Sequence, residues 1–206
     1  MKKVINCLKD ENPLINKKLR EVSVEEGNAI ATELFQILNQ RKDGIGLAAN
    51  QVGIDAQVAV VNVRKPLVLI NPKIISKENK IRYYEGCLSF PKKGVHTERY
   101  ETIEISTEQE ESNLVFSGAG DGKYKDLLTL EAVCIQHEID HLNGLVCMDR
   151  KIETSYKRTQ PKIGRNHLVT IKKGDAVKVL KYKKIENYIN QGWELEWTDW
   201  YIFLNT

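Results

Sequence analysis

His137 and His141 stand four residues apart in the stretch QHEIDHLNG, with Glu138 between them. On a helix that spacing stacks the two imidazoles on one face, where both can reach a single divalent ion. A carboxylate beside them is placed to take a proton from a water molecule, which is the chemistry of metal-assisted hydrolysis. A catalytic site of this kind uses three protein ligands and keeps one position open, so the third ligand must come from elsewhere in the chain. Cys87, in EGCLSFP, is one candidate: Gly86 lets the backbone approach closely, and a strand fixes the direction of the thiol. Cys134 competes with it. It precedes His137 by one helical turn on nearly the same face, but the two histidines claim the metal side, and Cys134 reads better as pocket lining. Cys7 and Cys147 read as buried small hydrophobes without a role.

The helix itself must hold these groups in place. At about 100° per residue from His137, Leu128, Ala132, Ile135, Ile139 and Leu142 form an apolar stripe opposite the histidines. Leu130, Val133 and Cys134 fall within about 60° of His137, so the histidine face is apolar one turn earlier. The helix is therefore expected to be buried on both sides. A metal beside an apolar hollow would satisfy its histidines and make a pocket for an unbranched hydrophobic side chain.

The remaining elements follow from cap and period signals. Ser23 and Glu26 form a capping-box pattern ahead of Ile30, Leu34, Ile37 and Leu38, which predicts an amphipathic helix over about 24 to 40. The glycine-punctuated KDGIGLAANQVG leads into two β-rich runs, AQVAVVNV and PLVLINPKII, with further strands in KIRYYEGCLSFP, ERYETIEIST and NLVFSGAG. LTLEAVCIQHEIDHLNG reads as a helix closed by Gly144. Strands followed by a helix without a repeating βαβ rhythm indicate α+β, with mixed or antiparallel sheets around the helix that carries the histidines.

Bulk composition narrows the classes. A 206-residue chain with 41% hydrophobic and 29% charged residues is an ordinary globule, and a net charge of +3 is too small to argue for nucleic acid. No apolar stretch approaches the roughly 18 residues of a membrane span. Lys9, Asp10 and Glu11 interrupt any signal-type core, and four cysteines lack the density of a disulfide scaffold, so reduced thiols in a cytoplasm are expected. Composition shifts late in the chain. From Lys151 to Lys184 there are eleven Lys or Arg against two acidic residues. A basic linker is expected over 151–165. A small extension over 166–206 follows, with a hairpin in HLVTIKKGDAVKVLK, a short helix in YKKIENYINQG ending at Gly192, and Trp193, Trp197 and Trp200 as packing residues.

Taken together, GIGLAANQ (44–51), EGCLS (85–89) and QHEIDH (136–141) resemble the three signature motifs of the peptide deformylases, in order and at similar separation, over about residues 1–150. The resemblance implies removal of the formyl group from the initiator methionine of new polypeptides, with one divalent ion, ferrous iron as the usual native metal and zinc or nickel as possible occupants. It implies that Cys87, His137 and His141 hold the ion and that Glu138 relays the proton of the attacking water. Gln51 and the Leu88 N–H would stabilise the oxyanion. Leu130, Val133 and Cys134 would line the methionine pocket with Ile45 and Tyr83, and the backbone of Gly46 and Gly86 would pair with the peptide. Glu85 would position a ligand, and Asp140 would face solvent or a structural hydrogen bond.

Two departures stand out. The sequence has Gly94 near the place where many members carry a peptide-seating arginine, with Arg99 farther on, and the chain after 150 does not resemble the usual long helix. Its end is reminiscent of appendages on phage-encoded proteins, which would place it in an infected bacterial cytoplasm. Two other functions use the same helix: a metallopeptidase with a later ligand, for which His167 is a poor candidate, and a closed structural zinc site with Cys134 as fourth ligand. The basic tail adds an expected weak contact with the ribosome or RNA.

Overall fold

The structure, a computed structural model, describes residues 2–41, 43–118, 125–153, 168–174, 176–181, 184, 188 and 191–196. These fall into two compact units, Met1–Ile152 and Glu153–Thr206. In the first, helix α1 (Val24–Asn39) starts where the sequence predicts, with the Ser23 hydroxyl accepting the Glu26 N–H at 3.2 Å and Glu25 and Glu26 in the first turn. Its buried face is Gly27, Ala31, Leu34, Ile37 and Leu38, packed against the sheet beneath.

That sheet has the order β1 (Gly46–Ala48), β2 (Val58–Asn62), β3 (Pro66–Ile70), all antiparallel, with a 3-10 turn at Ala49–Val52. Val58, Ala59, Val60 and Val61 are fully buried. A strand covered on both faces needs no polar alternation, which is why this run reads as continuously apolar. The run PLVLINPKII, expected as one β segment, divides. Asn71 takes a left-handed φ of 47° ahead of Pro72, and the chain restarts as β4 (Lys73–Gly86) in a second sheet. There β4 pairs with β5 (Gly94–Ser106), and β5 with β6 (Leu114–Ser117), again antiparallel throughout.

Helix α2 (Lys125–Leu142) packs against β1, β2, β5 and β6. Every residue from Glu131 to Leu142 is buried, as a helix apolar on opposite faces requires. It closes at Gly144, whose φ of 74° suits glycine, and the Leu145 N–H returns to the Asp140 carbonyl at 2.9 Å. A Cβ on Gly144 would lie 2.8 Å from the backbone of Asn16 and Lys17, so the close approach demands glycine as much as the dihedral does.

The second unit contains the expected hairpin, β7 (Leu168–Lys173) and β8 (Ala176–Lys181), turning at Gly174, with β9 (Glu194–Glu196) on the other side of β7. Trp193 packs edge-on against Tyr188 at 5.8 Å between ring centroids. Most of the expected linker, most of the expected short helix, and Trp197 and Trp200 lie outside the described residues. The architecture is α+β, and no described helix is long and apolar enough to cross a membrane.

Candidate active site

The helical period delivers His137 and His141 to one face of α2, their ring centroids 5.0 Å apart. Facing them is Cys87, just beyond β4, with its Sγ 3.3 Å from His141 Nε2. Among the described residues, Cys87, His137 and His141 form a group whose ligand atoms all lie within 4.8 Å of one another. Cys134 is not part of it: its sulfur lies against Gly46, where an added Cβ would come within 2.8 Å.

The His137 ring is oriented from outside. Its Nδ1 donates to Glu85 Oε2 at 2.8 Å, which leaves Nε2 toward the cysteine and the other histidine. Burial works against an imidazolium here, but Glu85 outweighs it and raises the pKa of His137 to about 9. Burial likewise pushes Glu85 up, yet its hydrogen bonds to His137 and Arg99 hold it at about 2. A cation must therefore displace a proton from His137 to bind. Burial drives His141 the other way, well below its ordinary value, so that ring is neutral and ready to ligate.

Glu138 completes the group. It is 3% exposed, and burial raises its carboxyl to about 7. Oxygen Oε2 has no hydrogen-bond partner among the described residues, nor has His141 Nδ1. A buried carboxylate oxygen without a partner is costly in a finished structure, and it is what a site for water and a cation needs. Gly46 explains how Glu138 fits: a Cβ at that position would collide with the carboxylate, so only glycine lets β1 pass this close.

Gln51, on the 3-10 turn, accepts the Ala48 N–H through Oε1 at 2.9 Å and directs Nε2 to Cys87 Sγ at 3.6 Å and Ser89 Oγ at 3.3 Å. The Leu88 N–H takes part in no strand or turn hydrogen bond among the described residues. Gly86 is exposed at the end of β4, and Ile45 is half-buried just ahead of β1. Of the residues expected to line a methionine pocket, Val133 and Cys134 are buried, and Leu130 and Tyr83 are half-buried. Burial raises the Tyr83 hydroxyl, with Glu85 and Cys134 adding to it.

Several residues that position the site were missed or misread in the sequence. Arg99 is 2% exposed and bonds both Glu85 oxygens, at 2.5 and 2.9 Å, and Asp140 at 2.5 Å. It is therefore spent on the interior and is not free to seat a peptide. Asp140 takes the structural hydrogen-bond role that was one of its expected alternatives: buried Arg99 holds Oδ2, and the exposed Arg150 reaches Oδ1 at 2.6 Å through Nη2. Asn50, inside the first motif, donates to the His141 carbonyl at 2.8 Å and ties the end of α2 to that loop. Cys147, read as a buried small hydrophobe, is 1% exposed, as expected. None of these contacts leaves a periodic signature, because each joins segments far apart in the chain.

The donor set suits a divalent cation: one cysteine sulfur and two imidazoles, beside a carboxylate oxygen without a partner. Comparisons with known proteins agree with that chemistry. Residues 4–157 match the family described as Polypeptide deformylase. Peptide deformylase of Buchnera aphidicola subsp. Schizaphis graminum is 37% identical over 144 residues, covering 65% of this chain and 81% of the relative. The Aquifex aeolicus peptide deformylase is 35% identical over 151 residues, covering 68% and 82%. Among solved structures, the peptide deformylase of Thermotoga maritima superposes with a TM-score of 0.61 at 29% identity, over 74% of this chain and 99% of that one. A peptide deformylase from Synechococcus elongatus in complex with actinonin gives 0.59 at 35% identity, over 74% and 79%. The chain belongs to the polypeptide deformylase family.

Proposed function

We propose that Cys87, His137 and His141 hold one divalent ion, ferrous iron in the native protein with zinc or nickel able to replace it, and that Glu138 is the base for hydrolysis of N-formyl-methionyl peptides. When bound, the ion polarises the formyl group and acidifies water. Glu138 takes the proton of the attacking water on Oε2 and returns it to the leaving amine; a carboxyl raised toward neutrality by burial suits both halves of that transfer. Gln51 Nε2 and the Leu88 N–H donate to the oxyanion as charge develops. Ile45, Tyr83, Leu130, Val133 and Cys134 enclose the methionine side chain, while Gly46 and Gly86 offer backbone to an extended peptide.

The observation that carries this reading is the buried Cys87–His137–His141 group beside a glutamate with an unpartnered oxygen. Residues 1–150 act as the catalytic domain. Residues 151–165 are a basic linker, and 166–206 an extension whose lysines contact the ribosome weakly in the cytoplasm. The test is formate release from a formyl-Met peptide by anaerobically purified, iron-loaded protein, beside Glu138→Gln and Cys87→Ala. Activity in the parent that both changes abolish supports the assignment. An inactive, folded parent with one ion bound points to a closed site or another substrate.

A further inference from the structure

Side chains along β4 alternate between two faces. Tyr83 and Glu85 take the face toward α2: Glu85 reaches His137, and Thr97, directly opposite Tyr83 on β5, is fully buried. Tyr84 and Gly86 take the other face, with His96 and Gly94 directly opposite them. Among the described residues β4 pairs with β5 alone, so its outer edge is open as the strand runs toward Cys87.

The face of Tyr84 ends in a gap. Gly86 and Gly94 oppose each other at the last rung of the ladder, and neither carries a side chain. The Tyr84 ring leans into that gap from two residues back. A Cβ on Gly94 would lie 2.5 Å from the Tyr84 hydroxyl oxygen and 2.5 Å from Cζ, so glycine at this position is what lets the ring lie over β5. His96 holds the ring from its other side, with centroids 5.0 Å apart and the planes at 68°, an edge-on aromatic contact. Tyr84 is half-buried and Gly86 is exposed. An aromatic wall thus stands over Gly94, beside a bare glycine that immediately precedes the cysteine of the ligand group.

An extended peptide that adds to the β4 edge at Gly86 obeys the same alternation. With its methionine side chain turned to the α2 face, beside Tyr83, its next side chain turns to the face of Tyr84 and Gly86. Neighbouring strands lie about 4.8 Å apart, and Gly86 places no side chain in the way, so a long side chain laid across Gly86 reaches the ring. Alanine or glycine is too short to do so.

We infer that Tyr84 determines specificity for the residue after methionine: its ring, seated over Gly94, receives a long apolar or aromatic side chain that crosses Gly86. The inference rests on the proposed hydrolysis of formyl-methionyl peptides and on Gly86 as a peptide-pairing position.

The experiment measures formate release by the iron-loaded full chain from formyl-Met-Phe-Gly and formyl-Met-Ala-Gly, in the parent, Tyr84→Ala and Tyr84→Phe. The ratio of the two kcat/KM values within one preparation is independent of how much of the protein is folded and loaded. The parent favours the phenylalanine peptide by about five- to tenfold, the worth of one aromatic contact. Tyr84→Ala brings the ratio close to one by raising KM for that peptide with kcat unchanged, and Tyr84→Phe keeps the parent ratio. A parent ratio near one, a parent ratio that survives in Tyr84→Ala, or a loss in Tyr84→Phe equal to that in alanine overturns the inference, while formate release from both peptides leaves the proposed reaction standing. A parent that releases formate from neither peptide removes the reaction, and the inference with it.

Discussion

Helices α1 and α2 are built from similar numbers of apolar residues but meet opposite demands. In α1 the apolar residues gather on one face, and Glu25, Asn28, Ala29 and Glu33 lie on the exposed or half-exposed remainder. Water satisfies its polar side chains, so their identity matters little. From Glu131 onward α2 has no wet side, and each polar group needs a protein partner. Glu131 has Arg64 at 2.6 Å, Gln136 bridges the Tyr100 N–H and carbonyl at 3.0 and 2.8 Å, His137 has Glu85, and Asp140 has two arginines. Glu138 Oε2 and His141 Nδ1 are the exceptions on this helix, and they sit at the ligand group. On this helix polar burial is thus resolved except at Glu138 Oε2, beside the ligand group, and at His141 Nδ1.

Substitutions in the two helices should therefore differ in kind as well as size. The largest effect is expected for Glu138→Gln in α2, which keeps shape but cannot take a proton: kcat falls roughly 10²- to 10⁴-fold, the usual worth of a general base, with thermal stability unchanged or improved. A variant with near-parent turnover would remove Glu138 as the base. Next comes Arg99→Met, which strands Glu85 and Asp140 as buried charges without their partner; urea unfolding should show a loss of roughly 3–5 kcal/mol. A loss under 1 kcal/mol would mean that Arg150 and His137 suffice.

The third prediction concerns pH in metal-free protein. Glu85 is held at about 2, below its ordinary 4.5, so it binds fewer protons folded than unfolded in the window between. Its contribution is complete above pH about 4.5 and is lost as pH falls toward about 2. The loss is on the order of 2–3 kcal/mol. Unfolding free energies measured from pH 5 to 2.5 should fall steeply in the parent and much less in Glu85→Gln; parallel curves would contradict the assignment. The smallest effect belongs to α1. Ser23→Ala removes the hydroxyl that caps Glu26, costing about 1 kcal/mol in chemical denaturation and leaving kcat untouched. A change in activity there would mean that the two helices are coupled more tightly than their packing implies.

The sequence alone determined whatever depends on neighbours along the chain. The cap at Ser23 and the apolar period place α1, the four-residue spacing places both histidines and Glu138 on one face, and the opposed apolar stripes require α2 to be buried. The three motifs sufficed for the family and for the α+β class. Tertiary structure decided what depends on register between segments. Cys87 and His141 are 54 positions apart, and only the end of β4 against α2 joins them and leaves Cys134 aside. Pairing of β4 with β5 turns Arg99 inward onto Glu85, 14 positions away. Local periodicity fixes which way a side chain leaves its own helix or strand. Which partner waits there is fixed by how separate elements pack, and no short window of sequence contains that information.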